Sequence, residues 1–324
     1  MDKVNQTSDI SFLLLGFQNS QIINELLFVL FLWIYILTLF GNFLIIILVV
    51  TVSALRSPMY VLLSQLSLAD ILLTTSITPN LLRLLLTRGD TISATSCFTQ
   101  FYFYGVSATS EYFLLPVMSY DRYLAICSPL YYVSIMDFRL RLYTSLCSWG
   151  LAHMWSLVIN PLTYNLQFCG PFVIDHYFCD LSPLLELSCS NSKHVELTDM
   201  ILSIPFTLLP FCFIIYTYVS IVLAILRISS TTERYKAFST CSSHLIVVCT
   251  YYGSLITVYM VPSKGNKFNI NKILSLLYTL GTPFFNPIVY SLRNSEIKVV
   301  LLKLMSNGIS LYSCILPCKK QKQY

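Results

Sequence analysis

Charge is what this 324-residue chain has least of. Asp, Glu, Lys and Arg together make up 11% of it, against roughly 25% in an average soluble domain. Hydrophobic residues account for 56%, so there is too little polar surface to cover a soluble protein. Intrinsic disorder is excluded on the same grounds, because disordered segments are poor in aromatics and rich in charge, whereas 22 Tyr and 21 Phe are present here. With only 15 acidic and 20 basic residues, a phosphate-binding enzyme or a nucleic-acid reader is not expected. His153 and His244 are too scattered for a histidine-rich metal centre. No nucleophile–base pair stands out, so the chain reads as a non-enzyme. A cleavable signal sequence is also missing: the early apolar stretch Phe12–Leu15 is shorter than a signal core of about 7–15 residues. The first apolar run is expected to act as its own insertion signal. The internal repeat that marks many transporters is not seen.

What is present is a series of long apolar runs separated by the sparse charges. A bilayer core about 30 Å thick takes roughly 20 apolar residues of helix. Such runs lie at about 25–51, 58–82, 97–123, 140–162, 198–226, 237–261 and 271–292. They are too long and continuous for the alternating strands of a membrane barrel. The sequence therefore predicts an all-α membrane protein: an outer segment 1–24, a seven-helix bundle 25–293 and an inner tail 294–324. Placing the N-terminus outside puts thirteen of the 20 Lys and Arg residues on the inner side, among them Arg56, Arg122, Arg139, Lys236 and Arg293. Asp90, Asp175, Asp180, Glu186, Glu196 and Asp199 then lie outside. Basic residues concentrate in cytoplasmic loops, so this orientation is the predicted one. Asn5-Gln6-Thr7 is then a glycosylation sequon on the outer side.

One connection, from about Asn165 to Val195, is near 30 residues, well above the usual length. Cys97, Cys169, Cys179 and Cys189 fall outside, where oxidation is expected. Four cysteines allow three pairings, and spacing alone does not choose among them. His176 with Cys179 fits no common zinc spacing; the loop cysteines are read instead as pinning the segment across the outer mouth of the bundle. Cys127, Cys147, Cys212, Cys241 and Cys249 fall within spans or at their inner ends, most of them read as small buried apolar residues. Cys314 and Cys318, in the basic tail, are either palmitoylated or plain thiols.

Ionisable groups inside a span are costly and point to function. Asp70 and Glu111 are the clear pair. Two readings stand: with Asn42, Ser67, Thr282 and Asn286 they form an oxygen cage for a sodium ion, or they are a neutral, hydrogen-bonded acid pair. In the third span Tyr104, Ala108, Glu111, Leu115, Met118 and Arg122 recur every three or four residues and share one helix face. That face runs about 27 Å, from an outer pocket past a mid-membrane acid to an inner charged cluster, as suits a device that carries information across a membrane.

At Asp121-Arg122-Tyr123 the pattern becomes specific. MSYDRYLAIC (118–127) closely resembles the MAYDRYVAIC signature of vertebrate olfactory receptors, which are rhodopsin-like G-protein-coupled receptors. Gly41-Asn42, SPMYVLLSQLSLAD (57–70), KAFSTCSSHL (236–245) and PFFNPIVYSLRN (283–294) resemble further family stretches in the same order. Gln65 replaces the usual Asn, and Asn80, Thr217 and Tyr251 also depart from the common residues.

The resemblance implies disulfides Cys97–Cys179 and Cys169–Cys189, and Arg122 held by Asp121 at rest, with Tyr123 completing the motif. It implies that Tyr218 and Tyr290 build the active inner surface, that Lys236 to His244 opens the sixth span toward the G protein, and that Asn286-Pro287 bends the seventh. Asp70 with Glu111 resembles the family's sodium-linked acids, and the stretch from Arg293, with Ile297, Val300, Leu301 and Leu304, a short amphipathic helix on the inner leaflet. Helical phase and family position together point to a ligand set of Tyr104, Gly105, Ala108, Thr109, Leu202, Phe206, Tyr252, Leu255, Ile256, Tyr259 and Thr279. It is apolar and aromatic with a few hydroxyls and no mid-pocket charge, with Lys264 at the rim, so the expected ligand is a small neutral volatile. The implied partners are an odorant, a stimulatory olfactory-type heterotrimeric G protein that raises cAMP, and membrane lipid; the implied location is the plasma membrane of olfactory sensory cilia. The rival is an ion- or proton-coupled carrier using Asp70 and Glu111.

Overall fold

The computed structural model describes residues 10–260, 268–292, 297–300 and 302. Asn5, Lys264, Arg293, Leu301, Leu304, Cys314 and Cys318 lie outside the described residues, as do the side chains of Lys236, Ile256 and Tyr259. Long helices dominate: α1 (Gln21–Thr51), α2 (Pro58–Thr87), α3 (Ala94–Cys127), α5 (Phe138–Tyr164), α7 (Lys193–Leu226) and α8 (Thr231–Met260). Two short helices lie between them, α4 (Pro129–Ile135) and α6 (Leu181–Glu186). A last helical stretch joins α9 (Phe268–Leu276) to α10 (Thr282–Leu292) through a π-helical turn, Leu277–Gly281.

Local chemistry sets the helix starts. Pro58 opens α2, where its missing N–H would have no partner in any case. Ser93 caps α3 by accepting the Ser96 N–H at 3.2 Å, and Asp137 caps α5 by accepting that of Leu140 at 2.8 Å.

Among the described residues, Gln21–Thr51, Pro58–Thr87, Lys193–Leu226 and Asn271–Tyr290 are long and apolar enough to cross a membrane. The apolarity of a helix follows its surroundings. In α1 and α7 only 28% of the most apolar stretch is buried, and Trp33, Phe40, Leu209 and Val219 point outward, as lipid-facing side chains do. α3 is the reverse. It packs against α2, α5 and α7 and hides Gln100, Ser107, Ser110 and Glu111 inside the bundle, so it is the more polar helix although it has 34 residues.

Close approach at one point depends on a missing side chain. A Cβ on Gly41 would stand 2.9 Å from Cγ of Pro287, so glycine lets α1 lie against α10. The π turn precedes Pro283, which has no N–H to continue the ladder; the Thr282 hydroxyl donates to Leu277 O at 3.1 Å.

The helices are not the whole fold. β1 (Ser11–Leu14) lies between β2 (Asp90–Ser93), antiparallel, and β3 (Val173–Ile174), parallel. The all-α expectation therefore gains a small sheet at the disulfide-bearing end. Phe12 and Leu14 alternate inward and are fully buried, the period-two signature of a strand; four residues of it are too few to stand out in the sequence.

Candidate functional site

The expected ligand residues gather under the disulfide-bearing end. Tyr104 is buried, its hydroxyl 3.3 Å from that of Tyr278. Ala108 is buried, and its carbonyl accepts the Tyr251 hydroxyl at 2.6 Å. Tyr252 donates to the Tyr112 carbonyl at 2.9 Å, and Leu255 and Thr279 are buried nearby in α8 and the π turn. Thr109 and Leu202 are half-buried. Phe206 stands edge-to-face with Phe113 at 5.1 Å. Gly105 faces α5, where a Cβ would come within 2.7 Å of the Trp155 ring, so it makes room for an indole.

The long connection supplies residues that helical phase could not reveal. Cys179 is bonded to Cys97 at the top of α3, and Cys169 to Cys189. The Cys179 N–H donates to Gln100 Oε1 at 3.0 Å. Tyr177 and Phe178 are thereby driven into the bundle, both fully buried. Phe178 meets Tyr104 edge-on at 4.9 Å, and the Tyr177 hydroxyl lies 3.0 Å from that of Thr279. The aromatic pair beside Cys179 was the available sequence signal.

Half-way down lie the buried acids. Asp70 and Glu111 are both fully buried. Asn286 Nδ2 donates to both Asp70 oxygens, at 3.0 and 3.1 Å, and Asn42 Nδ2 to Pro283 O at 3.1 Å. Ser67 and Thr282 are buried too. Among the described residues, both Glu111 carboxyl oxygens, Asn42 Oδ1 and Asn286 Oδ1 are buried without a hydrogen-bond partner. Such an all-oxygen donor set fits a hard cation.

At the opposite end Arg122 Nη2 contacts Asp121 Oδ2 at 2.8 Å, the aspartate fully buried and the arginine side chain 17% exposed. A residue the sequence reading passed over joins them: Tyr132 of α4 donates to Asp121 Oδ1 at 2.8 Å. Burial and the Asp121 carboxylate raise the Tyr132 phenol above its ordinary value, so it stays a donor. Tyr218 and His244 Nδ1 lie 2.5 Å apart, linking α7 to α8. Tyr123 stacks on Tyr120, while Tyr290 and Pro287 sit in α10 with the Tyr290 hydroxyl buried and unpartnered among the described residues. Of the five span cysteines expected to be mostly buried, only Cys241 is; Cys127 and Cys147 are half-buried, and Cys212 and Cys249 are exposed. They lie on the outward faces of α7 and α8.

A helical membrane protein with an aromatic, hydroxyl-bearing cluster at one end and a held Asp-Arg pair at the other has the build of a receptor. The olfactory receptor family model matches residues 31–308. The chain is 45% identical over 304 residues to human olfactory receptor 6F1, covering 94% of this chain and 98% of that one. It is 44% identical over 292 residues to human olfactory receptor 6P1, covering 90% and 92%. It is 41% identical over 321 residues to olfactory receptor-like protein I9 of Rattus norvegicus, covering 99% and 98%. The chain belongs to the olfactory receptor family, a family of signalling receptors and not enzymes. Membership brings odorant ligands and G-protein partners in general, and leaves the carrier reading without support.

Proposed function

We propose that this chain is an odorant receptor of the plasma membrane, placed in olfactory sensory cilia, with seven spans, an outside N-terminus glycosylated at Asn5 and a cytoplasmic tail. It binds a small neutral volatile among Tyr104, Ala108, Tyr252, Leu255 and Thr279 and activates a stimulatory heterotrimeric G protein, raising cAMP. The observation that carries this reading is that one helix, α3, holds Tyr104 under the loop aromatics and Asp121–Arg122 at its far end. A ligand that favours one packing of the bundle shifts the state of the inner pair, provided it binds the two states unequally. Apolar burial at about 25 cal/mol per Å² supplies most of the affinity. Roughly ten heavy atoms limit it to micromolar or weaker. Asp70, Glu111, Asn42 and Asn286 would hold a sodium ion, whose positive charge would offset the two buried acids and favour the resting bundle. The test is cAMP in heterologous cells challenged with neutral alcohols, aldehydes, ketones and esters beside size-matched amines and acids. Responses to neutral compounds support the reading; activation by charged compounds alone overturns the ligand class.

A further inference from the structure

Residues 172–180 form a strap across the mouth of the bundle, held from three directions. Along β1 the bonds run from Leu13 N to Phe172 O (2.8 Å), Leu15 N to Ile174 O (3.0 Å) and Gly16 N to His176 O (3.1 Å). The Cys97–Cys179 disulfide ties the strap to α3. From the third direction comes Lys272 of α9, only 2% exposed. Its Nζ donates to Gly16 O at 2.9 Å and to Asp175 Oδ1 at 2.5 Å. Lys272 is therefore an internal latch, joining the N-terminal segment, the strap and the last helical stretch.

Between this latch and the buried aromatics sits His176. Its ring stacks on Tyr177 with centroids 4.7 Å apart and meets Phe178 edge-on at 4.5 Å. Its Nδ1 is buried without a hydrogen-bond partner among the described residues. A protonated imidazole needs an acceptor for each N–H, and this position offers Nδ1 none while setting the ring near a buried ammonium.

We propose that the strap is a proton-released lid: protonation of His176 at mildly acidic external pH frees residues 172–180 from the mouth of the bundle and uncovers Tyr104 and Thr279. What is uncovered rests on the odorant-pocket reading above; the release itself does not. The groups facing His176 can be named element by element. α9 brings Lys272; the strap brings Tyr177, which stacks on the imidazole, and the neighbouring Asp175, whose carboxylate is engaged by Lys272, while Asp180 acts on Tyr177. The β1 side brings the Gly16 backbone and the Phe17 ring, which stacks on Tyr177. On α3 the disulfide and Gln100 hold the strap at Cys179, three residues on.

In the closed strap, burial and then the Lys272 charge push His176 down from 6.5 to about 3. Released into water, it returns to about 6.5. Between these values the open strap binds a proton that the closed strap does not, so acid favours opening. At pH 5.5 the opening equilibrium gains roughly tenfold over its value at neutral pH.

Hydrogen exchange on the full receptor in nanodiscs, without odorant, measures this directly. After correction for the intrinsic pH dependence of exchange, amides of residues 173–180 should lose protection about tenfold between pH 7.4 and 5.5, and those of central α3 should not. His176→Phe, which keeps an aromatic ring but cannot titrate, should remove the difference; His176→Gln serves if the Phe variant does not fold. Unchanged protection in the parent receptor, or an equal loss in either variant, overturns the proposal. Because no odorant is present, failure here is distinct from failure of the ligand assignment.

Discussion

Arg122 is held by a single carboxylate, and its Nε has no partner among the described residues. The guanidinium remains cationic at any physiological pH, so the arrangement is a charge poised for a second acceptor. Arg122→Ala is expected to abolish agonist-driven cAMP while surface expression, followed by antibody against an N-terminal tag, survives. Normal signalling in that variant would remove the switch assignment. Tyr132 is the other half of the restraint. A hydrogen bond to a charged acceptor contributes about 1.5–3 kcal/mol, so Tyr132→Phe should raise ligand-free cAMP by roughly tenfold per surface receptor, taking the lower end of that range. Unaltered basal cAMP would show that the Asp121–Tyr132 contact does not bias the equilibrium. Tyr104, Ala108, Glu111, Leu115 and Met118, which helical phase puts on one face with Arg122, are all buried, and Arg122 is partly so; that periodicity belongs to the backbone. What lies beside Gly105, the Trp155 ring, is by contrast settled by the helix packed there.

At the scale of elements, the long connection departs most from an unstructured loop. Its disulfide to α3 and its pairing through β3 with β1 turn it into a shaped cover. Removing a native disulfide from a small secreted domain typically costs about 2–5 kcal/mol, and here it would also release Tyr177 and Phe178 from the bundle. Cys97→Ser and Cys179→Ser should each lose surface delivery, with intracellular retention seen by microscopy. Peptide mapping that finds both thiols free in mature parent receptor would exclude the bond in the cell. The last helical stretch shows a related effect. Its apolar run is legible, but the π turn at Leu277–Gly281 depends on how Thr282, Pro283 and the buried Asn42 are accommodated together.

For the molecule as a whole, Asp70 and Asn286 join α2 to α10 across the middle of the bundle, and Glu111 of α3 is buried within reach of the Asp70 charge. An ion favouring one bundle state must oppose a ligand favouring the other, by linkage. Agonist potency should therefore fall as sodium rises, and Asp70→Asn combined with Glu111→Gln should abolish that dependence. Dose–response curves at constant ionic strength, with choline replacing sodium, make the measurement; potency indifferent to sodium in the parent receptor would leave the acids as a structural pair. The sequence by itself determined that this is a helical membrane protein of the olfactory receptor family, because apolar runs and the order of short motifs are properties of the chain read locally. Only the tertiary structure decided that Lys272 turns inward to latch the strap, that Tyr132 joins the Asp121–Arg122 pair, and that the N-terminal segment becomes the central strand of a sheet. The latch and the sheet join residues far apart in the chain, and Tyr132 reaches Asp121 from a separate helix; in each case burial and hydrogen-bond geometry, rather than periodicity, select the partner.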